Sequence, residues 1–204
     1  MFVITADQDS SRRTGERVDA LLSTLAAVIE AEQLPGVLRP FERTVGDEVQ
    51  AVLSDPASTV RLTLELQRLQ EWAVGIGVGE ADHLAASARA SSGPAFIRAR
   101  EAVERAGGRA VPTPVAVVAA DAAARDAEAL LQLMAAVLRR RSDAGWEMID
   151  ARLRAPTARA AAEELGISPQ AASQRLQAAL WEVVRGVEPL AAGLLHTLES
   201  ATAG

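Results

Sequence analysis

The 204 residues, 49% of them hydrophobic, suffice for one large domain or two small ones with cores of their own. The absence of cysteine excludes disulfides, thiolate metal sites and a cysteine nucleophile. The formal net charge of −6 argues against nucleic-acid binding over the whole surface, since phosphate contacts require local positive charge. No signal-peptide pattern and no run of about twenty uncharged apolar residues occurs, so we expect a cytoplasmic protein that does not contact a membrane.

The first half of the chain alternates patterns that are typical of strands and of helices. A β-prone run at 2–5 precedes a helical repeat of apolar residues, which ends before Pro35-Gly36. Two further β-prone runs, at 38–45 and 49–53, flank the turn Gly46-Asp47-Glu48. This arrangement predicts a hairpin.

The patterns that follow predict two helices and two strands. Residues 58–72 favour a helix, although their apolar residues also alternate as in a strand. A strand at 73–79, a helix at 94–106 and a strand at 110–119 complete the series. The order βαββαβ, extended by one helix and one strand, is typical of an antiparallel sheet with helices on one face. We therefore predict an α+β fold with a ferredoxin-like domain over residues 1–121.

Beyond residue 121 only helical patterns occur, which predicts an all-α domain over residues 122–204. An apolar stripe marks a long connecting helix at 122–141, and Arg139-Arg140-Arg141 lies at its C-terminal end, where the helix dipole favours cations. The stretch 183–198 is more apolar than a three-helix core requires. It can bury a partner together with the connecting helix, and a homodimer is the expected assembly.

Residues 157–185 carry the pattern of a helix-turn-helix. Thr157 caps the first helix, Ala162 is small where two helices cross, and Gly166 permits the positive φ of the turn. Ser168-Pro169 begins the second helix. In such motifs the beginning of the second helix faces the major groove of DNA. The residues that this position nominates for DNA contacts are Gln170, Ala171, Ser173, Gln174 and Arg175.

The positive charge around this motif is thin. From Arg139 to Arg185 there are 8 arginines and 6 acidic residues, a local sum of +2 that leaves −8 for the remainder. Arg154 and Arg159 are placed to contact phosphates near the first helix, and Arg175 follows along the second. Each is equally explicable as a solvated surface arginine. The motif itself has an alternative interpretation as a helical hairpin that serves only packing or dimerisation.

Three carboxylates of the first half are expected to converge. Asp7 follows the first strand, and Asp47 and Glu48 lie at the turn of the neighbouring hairpin. Such a cluster suits one or two Mg²⁺ or Mn²⁺ ions that hold a triphosphate. The alternative is that Asp7 and Asp9 cap a loop while Gly46-Asp47 forms only a tight turn.

Alternating glycines mark the strand at 73–79. Gly75, Gly77 and Gly79 fall on the same face of the sheet. A face without side chains lets another body approach closely, either a helix or a ligand ring. The spacing leaves both possibilities open.

Four motifs, in this order, resemble the bacterial SatD family over residues 1 to about 106. They are Thr5-Ala6-Asp7 with Ser11-Arg12, Thr44-Val45-Gly46-Asp47-Glu48-Val49-Gln50, Gly75-Ile76-Gly77-Val78-Gly79-Glu80, and Ser92-Gly93-Pro94-Ala95-Phe96 running into Ala99-Arg100-Glu101-Ala102. The sheet domain of that family is similar to the fold of class III nucleotidyl cyclases and GGDEF domains, and many members carry a C-terminal helix-turn-helix.

The resemblance implies a nucleotide or metal site that is built from Asp7, Asp47 and Glu48. The phosphate contacts that it implies are Ser92, Gly93, Arg98 and Arg100. The hairpin lacks the double glycine of diguanylate cyclases, and the chain contains no lysine to meet a triphosphate. These departures favour ligand sensing over catalysis.

The sequence as a whole predicts a DNA-binding regulator whose N-terminal domain senses a nucleotide or a metal ion. The first alternative is a nucleotidyl cyclase or nucleotidyltransferase that uses a divalent metal and whose C-terminal helices only dimerise or localise it. The second is an interaction adaptor with neither activity.

Overall fold

The computed structural model describes residues 1–8, 15–108 and 111–202, in which a five-stranded sheet comes first and helices follow. Asp9, Ser11 and Arg12, which entered the predictions above, lie outside these residues. The elements in chain order are β1 (Phe2–Gln8), α1 (Gly15–Ala31), β2 (Val37–Arg43), β3 (Val49–Leu53), α2 (Pro56–Arg68), β4 (Trp72–Val78), α3 (Pro94–Ala106), β5 (Val115–Val118), α4 (Ala124–Leu138), α5 (Asp143–Arg154), α6 (Ala158–Glu164), α7 (Pro169–Ala178) and α8 (Trp181–Thr202).

The sheet has the strand order β2-β3-β1-β4-β5. β1 lies between β3 and β4 and is antiparallel to both, and β2 pairs antiparallel with β3. β5 pairs parallel with β4, from Val74 opposite Val115 to Gly77 opposite Val118. The sheet is therefore mixed, and the prediction of an antiparallel sheet is wrong at this edge. The reason is that α3 crosses back over the sheet between β4 and β5, which gives the two strands the same direction.

Helices cover both faces of the sheet, so the prediction of helices on one face is also wrong. Phe2 and Ile4 of β1 point into the larger core, which contains buried residues of α1, α2, α4 and α8. Val3, between them, points to the opposite face and packs against Ala95 and Ala99 of α3. The alternation of side chains along β1 thus serves two apolar layers, as expected for a strand that is buried on both faces.

The glycine face of β4 is filled by α3. A Cβ atom at Gly77 would lie 2.1 Å from the carbonyl oxygen of Ala95 and 2.3 Å from the amide nitrogen of Ala99. At Gly75 it would lie 2.2 Å from the amide nitrogen of Val103. Of the two possibilities left open by the sequence, close packing of a helix is therefore the one that the fold uses at Gly75 and Gly77.

The core runs across residue 121, where the sequence predicts a domain boundary. Leu131 of α4 and Leu195 of α8 are both fully buried and belong to the same apolar cluster as Ile4 and Ile76 of the sheet. α8 packs along α2 and α4, and α4 packs against β5. The boundary itself stays a prediction. In the described ranges, no helix combines the length and apolarity that are needed to cross a bilayer.

Candidate functional site

The first candidate site is the pair of helices α6 and α7, which pack against α5. The Thr157 hydroxyl accepts a hydrogen bond from the amide of Ala160 at 3.1 Å, and the Ser168 hydroxyl accepts one from Ala171 at 3.1 Å. Gly166, in the turn, has a φ of +64°, a conformation that side chains disfavour. The local geometry that the sequence predicts for the two caps and the turn is confirmed.

A core of small side chains holds the three helices together. Met148 of α5, Ala161 and Ala162 of α6, and Ala172 of α7 are buried against one another. Alanine at the crossing lets the helix backbones approach closely, since the contact distance depends on the side chains at the interface. α7 is therefore held on a fixed support rather than on a loop.

The beginning of α7 presents polar side chains to solvent. Gln170, Ser173 and Gln174 are exposed, and within the described part of the chain their side chains make no hydrogen bond to another residue. Ala171 is half-buried. Arg175, also half-buried, donates to the carboxylate of Glu147 at 2.8 Å. Three of the five residues that the sequence predicts as DNA contacts therefore have side chains that are accessible to a binding partner.

The two other arginines near this surface are also paired with carboxylates. Arg159 donates to Glu163 at 3.2 Å, and Arg154 donates to Glu164 at 2.5 Å. Because these pairs are solvent-exposed, water and salt screen them and they contribute little to the stability of the fold. A phosphate can replace such a carboxylate at little cost, but the net local charge stays small.

The second candidate site is the carboxylate cluster beside β1. Asp7 follows Ala6, which pairs with Val49 at the beginning of β3, so the strand end and the β2–β3 turn are adjacent. The carboxyl groups of Asp7 and Asp47 lie close enough to influence each other's charge. Loss of hydration raises the pKa of Asp7, and the neighbouring charges of Asp47 and Glu48 raise it further. Asp7 thus interacts with both carboxylates of the turn, and the convergence of the three residues into a metal site stays a prediction.

Glu48 has a hydrogen-bond partner within its own turn. Its carboxylate accepts a hydrogen bond from the hydroxyl of Thr44, on the other side of the same turn. Across the described residues, no group of three or more histidine, aspartate or glutamate side chains is arranged to hold a metal ion. Asp7 and Asp47 form a pair that can share a cation, with the remaining ligands left to a bound phosphate or to water.

The residues that the SatD resemblance implies as phosphate contacts lie at the other end of the sheet. Asp7 pairs with Ala73, whereas Gly79, six residues further along, lies against the guanidinium of Arg98. At about 3.3 Å per residue the two places are roughly 20 Å apart. The structure therefore does not bring the two groups of residues into one site.

Each of these residues has a contact within the fold. The guanidinium of Arg98 donates to the carbonyl of Val78 at 2.7 Å, and Arg100 forms an exposed ion pair with Glu104 at 3.3 Å. Gly93 has a φ of +137°, and a Cβ there would lie 2.4 Å from the amide nitrogen of Asp82. Ser92 is exposed and bridges to His83 through the backbone.

A third group of residues was not predicted. The guanidinium groups of Arg68 and Arg141 lie 4.4 Å and 4.7 Å from the ring centroid of Trp146. Arg141 belongs to the arginine run at 139–141, for which the sequence suggested only an interaction with the helix dipole. Because Arg68 and Trp146 are distant in sequence, nothing in the spacing indicated that these side chains meet.

Comparisons of the chain with protein families, with curated proteins and with solved structures gave no match.

Proposed function

We propose that the chain is a DNA-binding protein that reads the major groove with the first turns of α7. The observation that carries this proposal is the exposure of Gln170, Ser173 and Gln174 on a helix that is capped, held by a close-packed core and preceded by a four-residue turn. Gln can donate to and accept from adenine in the major groove, and serine can contact several bases. This pair of helices then acts as a helix-turn-helix.

The charges predict a binding mode with few phosphate contacts. Arg154, Arg159 and Arg175 must exchange a carboxylate partner for a phosphate, and the chain as a whole carries −6. Fewer neutralised phosphates give a shallower dependence of affinity on salt. We propose that a homodimer compensates by engaging two half-sites, which makes the recognised DNA two-fold symmetric.

The test begins with selection of DNA from a random pool and continues with affinity measurements on the selected duplex. We expect Gln174→Ala to weaken binding by 1–3 kcal/mol, roughly 5- to 150-fold, because a lost base contact has about that effect. Gln177→Ala is the matched control, since Gln177 is exposed on the same helix but lies near its end. We expect its affinity to equal that of the wild type.

Two results contradict DNA reading by α7. One is a pool that shows no enriched sequence. The other is an equal loss of affinity in the Gln174 and Gln177 variants. An equal loss means that the beginning of α7 makes no specific base contact through Gln174. Enriched sequences without two-fold symmetry contradict the homodimer alone.

We also propose that β1, α1, β2, β3, α2 and β4 form a ferredoxin-like unit, similar to cyclases and polymerase palms, that senses a nucleotide through a divalent metal. The strand order β2-β3-β1-β4, with β1 antiparallel to both neighbours, supports the fold. The contact between Asp7 and Asp47 supports the metal, because a cation relieves the repulsion between two carboxylates. Membership of the SatD family is part of this proposal. The alternative of a nucleotidyl cyclase or nucleotidyltransferase uses the same site and differs in that the bound nucleotide is converted to a product.

A pH experiment tests the carboxylate pair. The raised pKa of Asp7 means that the folded chain holds this proton more tightly than the unfolded chain does. Its stabilising contribution is complete below the ordinary pKa of 3.8 and is lost as the pH rises through the raised pKa. We therefore expect Asp47→Asn to raise the free energy of unfolding at neutral pH by about 0.5 kcal/mol, and to leave it unchanged in acid.

The same variant tests the metal. In calorimetric titrations with Mn²⁺ and each of ATP, GTP, CTP and UTP, we expect at least one nucleotide to bind to the wild type. Asp47→Asn should abolish this binding. Glu101→Gln, an exposed carboxylate of α3, is the control that should bind as the wild type does. Silence from all four nucleotides contradicts the sensing proposal. If no nucleotide binds and the DNA selection enriches no sequence, the remaining hypothesis is an interaction adaptor with neither activity.

A further inference from the structure

A cavity of about 190 Å³ lies between the helices that cover the sheet and the helices of the C-terminal half. Side chains of α2, α4, α5 and α8 line it. Pockets for drug-sized ligands have about 300–1,000 Å³, so this cavity accommodates a smaller molecule than a nucleotide. Its apolar walls come from Leu64, Leu138, Trp146, Ile149, Trp181 and Val184.

Two buried hydrogen-bond donors at this cavity have no acceptor. Nη2 of Arg141 and Nε1 of Trp181 are fully buried atoms without a hydrogen-bond partner among the described residues. Each residue is only 9% exposed, and both line the cavity. A buried donor without an acceptor is costly, most of all on a charged group, and these two are the unsatisfied buried atoms among the described residues that belong to the lining of this cavity. The two donors share the need for an acceptor.

Arg141 lacks the carboxylate that its charge requires. Its Nε donates to the backbone carbonyl of Ala179 at 2.8 Å, and its guanidinium stacks on Trp146. No carboxylate oxygen of the described residues lies within 4.0 Å of it. Burial lowers the pKa of the guanidinium to about 10, with a counteracting effect of Glu188. The side chain nevertheless stays charged at neutral pH.

The other cations near the cavity are already paired or exposed. Arg61 contacts Glu32 at 2.6 Å and Glu65 at 2.9 Å, and Arg68 contacts Asp150 at 2.6 Å. Arg185 is exposed and stacks on Trp181. The one buried guanidinium of the lining without a carboxylate, within the described part of the chain, is that of Arg141.

The charge of the lining favours a single negative charge. Four arginines and three glutamates line the cavity, and Asp150, which pairs with Arg68, brings the formal sum to zero. One negative charge is enough to pair with Arg141, whereas a phosphate dianion meets repulsion from Glu188 and from the carboxylates that hold Arg61. The Arg fork matches a carboxylate group, and the tryptophan and leucine walls match an apolar body.

We propose that this cavity binds a small organic monocarboxylate with an apolar body, whose carboxylate accepts hydrogen bonds from Arg141 and Trp181. The apolar body packs against Trp146 and Leu138. This site is separate from the carboxylate pair at Asp7 and from α7. Residues of α2 line one side of the cavity, and residues of α5 and α8 line the other. A bound acid therefore contacts both α2, which packs on the sheet, and α5, which packs against α7.

The proposal is tested by calorimetric titration of the full chain with three acids, namely benzoate, phenylacetate and 4-methylvalerate. Benzamide, which has the shape of benzoate without its charge, is the ligand control. We expect at least one acid to bind, with benzamide at least tenfold weaker. Arg141→Gln should weaken acid binding by about 10- to 150-fold, since hydrogen bonds to charged groups contribute about 1.5–3 kcal/mol. Arg140→Gln, the exposed neighbour outside the cavity, should bind as the wild type does.

A second variant keeps the test decisive if Arg141→Gln does not fold. Glu188→Gln removes a negative charge from the lining, and we expect it to bind the acid more tightly than the wild type does. The proposal is overturned if no acid binds with a Kd below about 10 mM. It is also overturned if benzamide binds as well as benzoate, or if Glu188→Gln leaves acid binding unchanged or weakens it.

Coupling to DNA is a separate step that rests on the proposed function. If the acid shifts the support of α7, it changes DNA affinity, and DNA changes acid affinity by the same factor. If the acid binds but does not change DNA affinity, the proposed acid site stands and the proposed coupling is contradicted. Failure of DNA binding leaves the calorimetric result intact, so the two proposals fail independently.

Discussion

Gly77→Ala lowers the free energy of unfolding by about 3 kcal/mol or more, because the new methyl group has no space. Its Cβ would lie 2.1 Å from the carbonyl oxygen of Ala95 and 2.3 Å from the amide of Ala99. Both are backbone atoms of α3, so relief requires the whole helix to move away from β4. For a chain of this length the loss corresponds to a fall in Tm of about 10 °C, measurable by calorimetry.

Gly186→Ala is the matched control for this substitution. Gly186 lies in the exposed part of α8, and a Cβ there has no atom within 4 Å. Because alanine is the better helix former, we expect the control to raise the free energy of unfolding by about 0.5–1 kcal/mol. If Gly77→Ala is no more harmful than the control, the close approach of α3 to β4 is incorrect.

The local elements could be predicted because their signals are short in sequence. The alternation of polar and apolar residues, the turn at Gly46-Asp47 and the start at Ser168-Pro169 each act within a few residues. The direction of β5 could not be predicted in the same way, because it depends on how α3 crosses the sheet. The prediction of helices on one face is wrong for a related reason, since the glycines of β4 suit a helix and a ligand alike and do not by themselves assign α3 to that face.

The same distinction applies to the sites. The proximity of the charges of Asp7 and Asp47 follows from the pairing of neighbouring strands, which the sequence order already indicates. The orientation of Glu48 could not be predicted, because it depends on the hydroxyl of Thr44. The cavity at Arg141 has no local signal at all, since its lining comes from elements between residues 32 and 188. Long-range packing alone defines it.

Leu195→Ala should lower the free energy of unfolding by about 2–5 kcal/mol, the usual effect of emptying a fully buried leucine site. Leu195 is completely buried in the core that also contains Ile4 and Ile76 of the sheet. α8 therefore stabilises the sheet as well as the C-terminal helices, and we expect one cooperative transition rather than two. Unfolding in denaturant, followed by circular dichroism, measures the change.

Leu190→Ala on the same helix is the control, since Leu190 is 59% exposed and its loss should change the free energy by no more than about 0.5 kcal/mol. Hydrogen exchange then distinguishes a shared core from two independent domains. With a shared core, Leu195→Ala accelerates exchange in β1 and in α8 together, because both open in the same event. Acceleration confined to α4 through α8 contradicts the shared core and places the boundary of cooperative unfolding near residue 121, where the sequence predicts it.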